Sequence, residues 1–359
     1  MIKNYPSSLK KLNLLLLFPF VIFNFLNAEL IETFYGKVDV EEGVILELIE
    51  SRAFQRLKDV HQYGIGYYTT HKEQFSRYSH SLGVFHLLRK SNRPLKEQIA
   101  GLLHDVSHTV FSHVGDWVFN KLTEDDDYQN SIHERYLEES GIANILRKYG
   151  IEPSEVLPLQ HLAPALESDR PNASADRLDY SLQGAYHQNF LTKEETILAF
   201  QSLDYENGLW VSSNLKLMEK MVRFILFMTQ DCFGSVKNHL SSRWLADAIL
   251  RAFEIELIDL REFHTSTDDL VWEKLIHSDD PFIKEKIYKA CNPEFFYEIT
   301  DYLSSDTIIK TKFFGFDPYI KDGESLKRAT QILPDLKNYY DITKEKMSKG
   351  FPVKYIRAS

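Results

Sequence analysis

Ile99-Ala100-Gly101-Leu102-Leu103-His104-Asp105-Val106-Ser107-His108-Thr109-Val110-Phe111-Ser112-His113-Val114-Gly115-Asp116 is the stretch on which the reading of this chain turns. Ile99, Leu102, Leu103 and Val106 recur at helical spacing, which predicts a helix over residues 95–108 with one face in a core. His104 and Asp105 stand at the end of that apolar run, and His108 follows one turn later on the face of His104. His113 and Asp116 come within another two turns. Imidazoles and carboxylates placed beside a buried stripe are costly to leave unpaired, so this sequence calls for a partner that holds them.

The chain has 359 residues, enough for one large domain or two. A hydrophobic share of 43% and a charged share of 26% are those of a soluble globular protein. An aromatic share of 13% suggests a well-filled interior. The net charge of −10 argues against strong nucleic-acid binding, which needs a basic footprint. It does not exclude an anionic substrate, because a metal ion and a few arginines reverse the sign locally. Cys232 and Cys291 are the only cysteines, which leaves no disulfide framework and no cysteine metal knuckle.

Residues 1–28 read as a signal peptide or N-terminal anchor. Lys3, Lys10 and Lys11 precede an apolar run over residues 12–26, and Ala28 offers a small residue for cleavage. The run is short for a membrane span, which takes about 20 residues, and the expected location is therefore outside the cytoplasm. Helical patterning covers residues 44–60, 75–89, 95–108, 131–148 and 173–186. A further run over 215–260 reads as two helices meeting near Gly234. Gly64 to Tyr68 reads as a loop. Only Thr307 to Phe316 has the β-branched and aromatic content of a strand. The expected fold is all-α, with the main domain over residues 29–300 and a small mixed α/β C-terminal appendage over 301–359. Glu124 to Asp127 lacks the Gly and closing Glu of a calcium loop and reads as a solvated turn.

His80, presented at a helix start, and Asp176, opening Asp176-Arg177-Leu178-Asp179-Tyr180, are the residues best suited to join His104 and Asp105. A set with both imidazoles and carboxylates suits octahedral Mn, Fe, Ni or Mg better than a closed structural zinc site. The expected cofactor is a divalent metal ion, one of Mn, Fe, Mg, Ni or Zn. Such an ion activates water and polarises a phosphorus centre.

These residues carry a family resemblance. Phe54-Gln55-Arg56-Leu57, His61-Gln62-Tyr63-Gly64, Arg77-Tyr78-Ser79-His80-Ser81-Leu82-Gly83-Val84, His104-Asp105-Val106-Ser107-His108, Phe111-Ser112-His113, His133-Glu134, Ala175-Asp176-Arg177-Leu178-Asp179-Tyr180 and Lys310 to Pro318 follow one another in matching order. Together they resemble the HD-domain phosphohydrolases, and within them the deoxynucleoside triphosphate triphosphohydrolase branch. The resemblance implies a helical HD fold, His80, His104, Asp105 and Asp176 as metal ligands, and a nucleotide or other phosphoester as substrate. Relatives often form dimers and larger assemblies, so a homo-oligomer is expected.

The same resemblance places His108, His113, Asp116 and His133 beside the scissile phosphate. His113 or His133 is then suited to proton delivery, with Asp116 or Glu134 as its prop. It makes Arg77 a phosphate clamp, for which its planar fork is well shaped, and Arg177 a second phosphate contact. Tyr180 would pack on the sugar and Gln62 would hydrogen-bond a sugar hydroxyl. The chain departs from the branch where an Arg-Asp pair is replaced by Gln183-Gly184 and a Tyr-x-His by Phe233-Gly234-Ser235. Asp176, Tyr180 and Gly184 share one helix face. Gly184 is therefore expected to leave a gap in the sugar wall, loosening discrimination by about 1–3 kcal/mol.

Overall fold

The computed structural model describes Met1 and residues 28–69, 75–120 and 127–356. The expected signal or anchor segment lies outside these residues apart from its two ends. Among the described residues, no helix is long and apolar enough to cross a membrane.

Helices dominate, and three of them frame the site. Arg77–Lys90 begins at Ser76, whose hydroxyl accepts from the Ser79 amide at 3.3 Å, which satisfies one of the free donors of a helix start. Ala175–His187 begins in the same way at the buried Ser174, which accepts from the Arg177 amide at 3.3 Å. Leu95–Leu103 lies against the first helix through Ile99, Leu102 and Leu103, all fully buried with Val84, Leu87 and Leu88. Gly101 makes this approach feasible, since a Cβ there would stand 2.3 Å from Leu88 Cδ1.

The predicted helix over 95–108 ends at Leu103. Residues 104–113 form a chain of turns, with Phe111 and Ser112 both in the left-handed region at φ 61° and 55°. His108 therefore reaches Asp105 across a turn, its amide bonding Asp105 O at 3.1 Å, and not along a helix face. The loop expected at 64–68 contains the short helix Ile65–Thr69. Helices Leu215–Asp231 and Val236–Glu254 meet at Gly234 as expected, in a corner so tight that a Cβ would lie 1.9 Å from Thr229 O.

The all-α expectation needs correcting, because among the described residues the helical body carries three small sheets and they are not confined to the C-terminus. Glu29–Thr33 and Gly36–Val40 form an antiparallel hairpin. Leu203–Glu206 and Leu209–Ser212 form a second hairpin, which Tyr319–Asp322 joins in parallel through Val211↔Tyr319, with Ser325–Arg328 at the edge. Phe351–Tyr355 runs between Tyr297–Ile299 and Thr307–Ile309. Strands on both sides of residue 300 thus share sheets with each other and with residues 203–212. Of the strand expected over 307–316, only Thr307–Ile309 pairs; beyond it the chain places the fully buried Phe316 in the core.

Two apolar cores result. One gathers residues of the 44–57, 82–103, 136–203 and 217–232 segments; the other gathers Ile65, Val110, Phe111, Val114 and the 236–290 helices. The turn chain 104–113 runs from the first, at Leu103 and Val106, to the second, at Val110 and Phe111. The polar residues of the site lie along this seam.

Candidate metal centre and phosphate site

His80, on the Arg77–Lys90 helix, and His104, at the end of Leu95–Leu103, direct their Nε2 atoms at each other across 3.1 Å. Each ring is fixed from behind. His104 Nδ1 donates to Gly101 O at 2.8 Å, and His80 Nδ1 donates to Asp179 Oδ2 at 2.7 Å. Asp176 Oδ1 lies 3.0 Å from His80 Nε2 and 3.6 Å from His104 Nε2. Asp105 adds Oδ2 at 3.7 Å from His80 and Oδ1 at 3.6 Å from His104. Two rings whose outer nitrogens are committed to acceptors, facing each other and two carboxylates, form a donor set for a cation. The His80, His104 and Asp176 ligand atoms all lie within 4.8 Å of one another. In the metal-free protein burial lowers the His80 pKa, but its bonds to Asp176 and Asp179 outweigh this and raise it to about 10. A proton thus occupies the place suited to a metal.

Arg77 is the bridge to the next group. Nearly fully buried, it gives Nη1 to Asp105 Oδ2 at 2.5 Å and Nε to Ser112 Oγ at 2.7 Å, while Nη2 has no partner among the described residues. Burial would raise the Asp105 pKa, but the Arg77 charge, helped by His104, holds it well below the usual range. His108 Nε2 stands 3.3 Å from Asp105 Oδ1, and burial followed by the Arg77 charge keeps that ring neutral. The His113 ring lies edge-on to His108 at 5.0 Å and pairs through Nδ1 with Asp116 Oδ2 at 3.0 Å. Desolvation works against a charged His113, but with 61% of the side chain exposed that effect is weak, and the Asp116 carboxylate raises its pKa. Asp116 is held in turn by the Tyr128 amide at 2.9 Å.

His133 is buried, with Nδ1 paired to Ser107 Oγ at 2.8 Å and Nε2 unpartnered among the described residues. Burial, then the nearby His104 charge, lowers its pKa to about 4. His133 is therefore a neutral ring at physiological pH, and of the two histidines expected to deliver a proton, His113 is the one held toward its acid form. The prop expected from Glu134 is absent, because Glu134 is exposed and Ser107 takes that place.

Gln62 joins the seam through its amide, which bonds Phe75 O at 3.1 Å, and its buried Oε1 has no partner among the described residues. The Tyr180 ring stands 6.4 Å from that of His80. Arg177 departs from its expected place: Nη1 donates to Ser168 O at 2.6 Å and Asn172 O at 3.1 Å, bracing the 168–172 loop. Gly184 departs too. The gap expected there is filled, since a Cβ would lie 2.6 Å from Tyr63 Oη and 2.9 Å from Phe224 Cζ. Phe233, where polar groups were expected to be lost, lies 6.1 Å from the Tyr63 ring and 4.9 Å from that of Phe314. The wall is aromatic and closed.

Three residues were missed. Asp179, fully buried, orients His80 and accepts from Tyr35 Oη at 2.7 Å and Gln183 Nε2 at 2.9 Å. Its position three residues after Asp176, on the turn that meets the same helix, was a usable signal. Glu167 is pushed up to about 7 by burial and then by the Asp176 charge. Asp268 gave no signal, being far from every motif.

Residues 77–172 match the HD domain. The chain is 30% identical over 329 residues to the uncharacterised protein YdhJ of Bacillus subtilis, covering 92% of this chain and 99% of that one. It is 37% identical over 169 residues to the metal-dependent phosphohydrolase cns2 of Cordyceps militaris, covering 47% and 48%. The chain belongs to the HD-domain phosphohydrolases. It is also 24% identical over 321 residues to the human deoxynucleoside triphosphate triphosphohydrolase SAMHD1, covering 70% of this chain and 51% of that one. This HD-domain protein thus spans about half the length of the two relatives named for an activity. Its His/Asp cluster can hold a divalent ion.

Proposed function

We propose that this protein hydrolyses nucleotides, with (deoxy)nucleoside triphosphates cleaved to nucleoside and triphosphate as the first reading. The observation that carries it is the single seam joining the His80–His104–Asp105–Asp176 set, the unpartnered Arg77 Nη2 and the His113–Asp116 pair. A divalent ion held by that set supplies Lewis acidity and lowers the pKa of water. Arg77 Nη2 is placed to take a phosphate oxygen, with the guanidinium already fixed on Asp105 and Ser112. His113, backed by Asp116, holds a proton that a leaving oxygen needs. His108 and His133 remain neutral donors or acceptors along the phosphate. Tyr180 packs on the sugar, and Gln62 Oε1 accepts from its hydroxyl.

The likeness to SAMHD1 supports the triphosphohydrolase reading. The closed wall of Tyr63, Phe224, Phe233 and Phe314 favours a second one, hydrolysis of nucleoside monophosphates or other small phosphoesters. Metal analysis of the purified protein, followed by product identification across a nucleotide panel, separates them. Release of tripolyphosphate supports the first, inorganic phosphate from monophosphates the second, and no turnover with metal bound favours a nucleotide-binding role. Export by residues 1–28 is tested with a reporter active only outside the cytoplasm, and a homo-oligomer by light scattering.

A further inference from the structure

We propose that Asp268 is a positioning residue that clamps the Gln62 loop to the 104–113 turn chain and so sets Arg77, His108 and His113 around the phosphate. The inference rests on the phosphohydrolase reading of that seam. Asp268 lies outside the matched HD segment, at the start of the helix Asp268–Ile276, and is fully buried. Its two oxygens serve two loops. Oδ1 accepts from the Phe111 amide at 2.7 Å, and Oδ2 accepts from the His61 amide at 2.9 Å. Thr267 holds the cap position of this helix, and both Asp268 oxygens bond other segments of the chain.

What the clamp holds would not hold itself. Phe111 and Ser112 are consecutive non-glycine residues in the left-handed region, a conformation that persists only where surrounding contacts fix it. The two loops touch backbone to backbone at Gly64, where φ is +50° and a Cβ would stand 2.4 Å from Phe111 O. From the clamp the connections run straight to the site. Ser112 Oγ donates to His61 O at 2.7 Å and accepts from Arg77 Nε at 2.7 Å, and Arg77 holds Asp105. Arg56 ties the other end of the turn chain to the same segment, with Nη2 on Val106 O at 3.0 Å and His108 O at 2.6 Å, and Nη1 on Ser266 O at 3.1 Å.

An ionised carboxylate accepts both amides most strongly, because a proton on either oxygen takes up a lone pair there and weakens its acceptance. Burial pushes the Asp268 carboxyl up to about 7, against the pull of the Phe111 and His61 amides and of the Arg56 and Arg77 charges. Arg56, Arg77, His61, Tyr68 and Asp269 are charged or titratable groups around it. The clamp therefore loosens as pH falls through about 7.

Asp268→Asn keeps the shape and turns one acceptor into a donor that faces an amide. The test uses the full-length protein loaded with Mn²⁺. Metal content is expected to stay at the wild-type level. Hydrogen exchange in peptides covering 61–64 and 110–113 is expected to speed up about tenfold, and pyrophosphate affinity and kcat to fall by about the same factor. In the wild type, exchange at those segments, corrected for its intrinsic pH dependence, rises as pH drops below 7; in the variant it stays flat. A merely stabilising residue would lower the melting temperature without touching this pH response or the affinity per metal-loaded site. Unchanged protection, unchanged pyrophosphate affinity, or loss of metal in step with activity would overturn the proposal. Should Asp268→Asn not fold, Ser112→Ala removes the next connection and must weaken pyrophosphate binding with metal retained; unaltered affinity there overturns it equally. A wild type that turns over no phosphoester defeats the hydrolase reading, while the exchange and pH measurements still judge the clamp.

Discussion

Asp105 cannot be deleted without stranding Arg77. Their contact at 2.5 Å is nearly fully buried, and removing one partner of such a pair leaves a charge unpaired at a cost of about 3–5 kcal/mol. Asp105→Ala is therefore expected to lose the fold along with the metal. His104→Ala leaves Asp105 with Arg77 and Asp176 with His80, and it is expected to lose metal and activity while keeping its secondary structure. Metal stoichiometry with a thermal melt on each variant checks this; full stoichiometry in His104→Ala would remove that residue from the ligand set. At Gly184 the structure reverses the expectation drawn from the departure at Gln183-Gly184. Gly184→Asp meets Tyr63 and Phe224, and overpacking of this kind costs about 1–3 kcal/mol. The variant is expected to melt lower, with no gain in preference for deoxynucleotides in paired kcat/KM measurements.

Among the elements, the Ala175–His187 helix places a candidate ligand by its start. Ser174 caps it and Asp176 stands in its first turn, so Ser174→Ala is expected to cost about 1 kcal/mol and to weaken metal binding. Urea denaturation and a metal titration report the two effects; a variant destabilised but binding metal normally would show that the cap does not place Asp176. This helix, Arg77–Lys90 and Leu215–Glu254 with its corner at Gly234 were legible because apolar spacing and caps agree over many residues. The candidate ligand residues stand out in the sequence for the same reason, since each sits at or near an end of such an element. The hairpins were not. Gly36-Lys37-Val38-Asp39-Val40 alternates plainly, with Val38 and Val40 buried and Lys37 and Asp39 exposed, but five residues are a weak signal beside longer helical runs. The turn chain was misread as helix because His104 to His108 carries nothing that breaks one; the bonds that hold it there come from Arg56 and Asp268, distant in sequence. For Gly184 the filling groups come from other segments, which no pattern along one helix reveals.

Across the whole molecule, the donor set joins three helices at the boundary of two cores, so a metal there is a cross-tie as well as a cofactor. In the metal-free protein a proton stands in. The His80 pKa is raised from 6.5 to about 10 against the effect of burial, through Asp176 and Asp179. A raised histidine contributes stability that is fully present below its unfolded value and disappears as pH climbs through its folded one. Metal-free protein is thus expected to lose stability between about pH 6.5 and 10, as this proton is given up. A bound ion needs the deprotonated ring and gains affinity over the same range. At a free metal concentration one hundred times Kd, binding adds about 2.7 kcal/mol. The gap in melting temperature between metal-loaded and chelator-treated protein is therefore expected to widen steadily from pH 6.5 upward, with protons released on binding in a calorimetric titration. A gap that stays constant with pH would mean that His80 carries no displaceable proton, and would place the metal on another set of ligands.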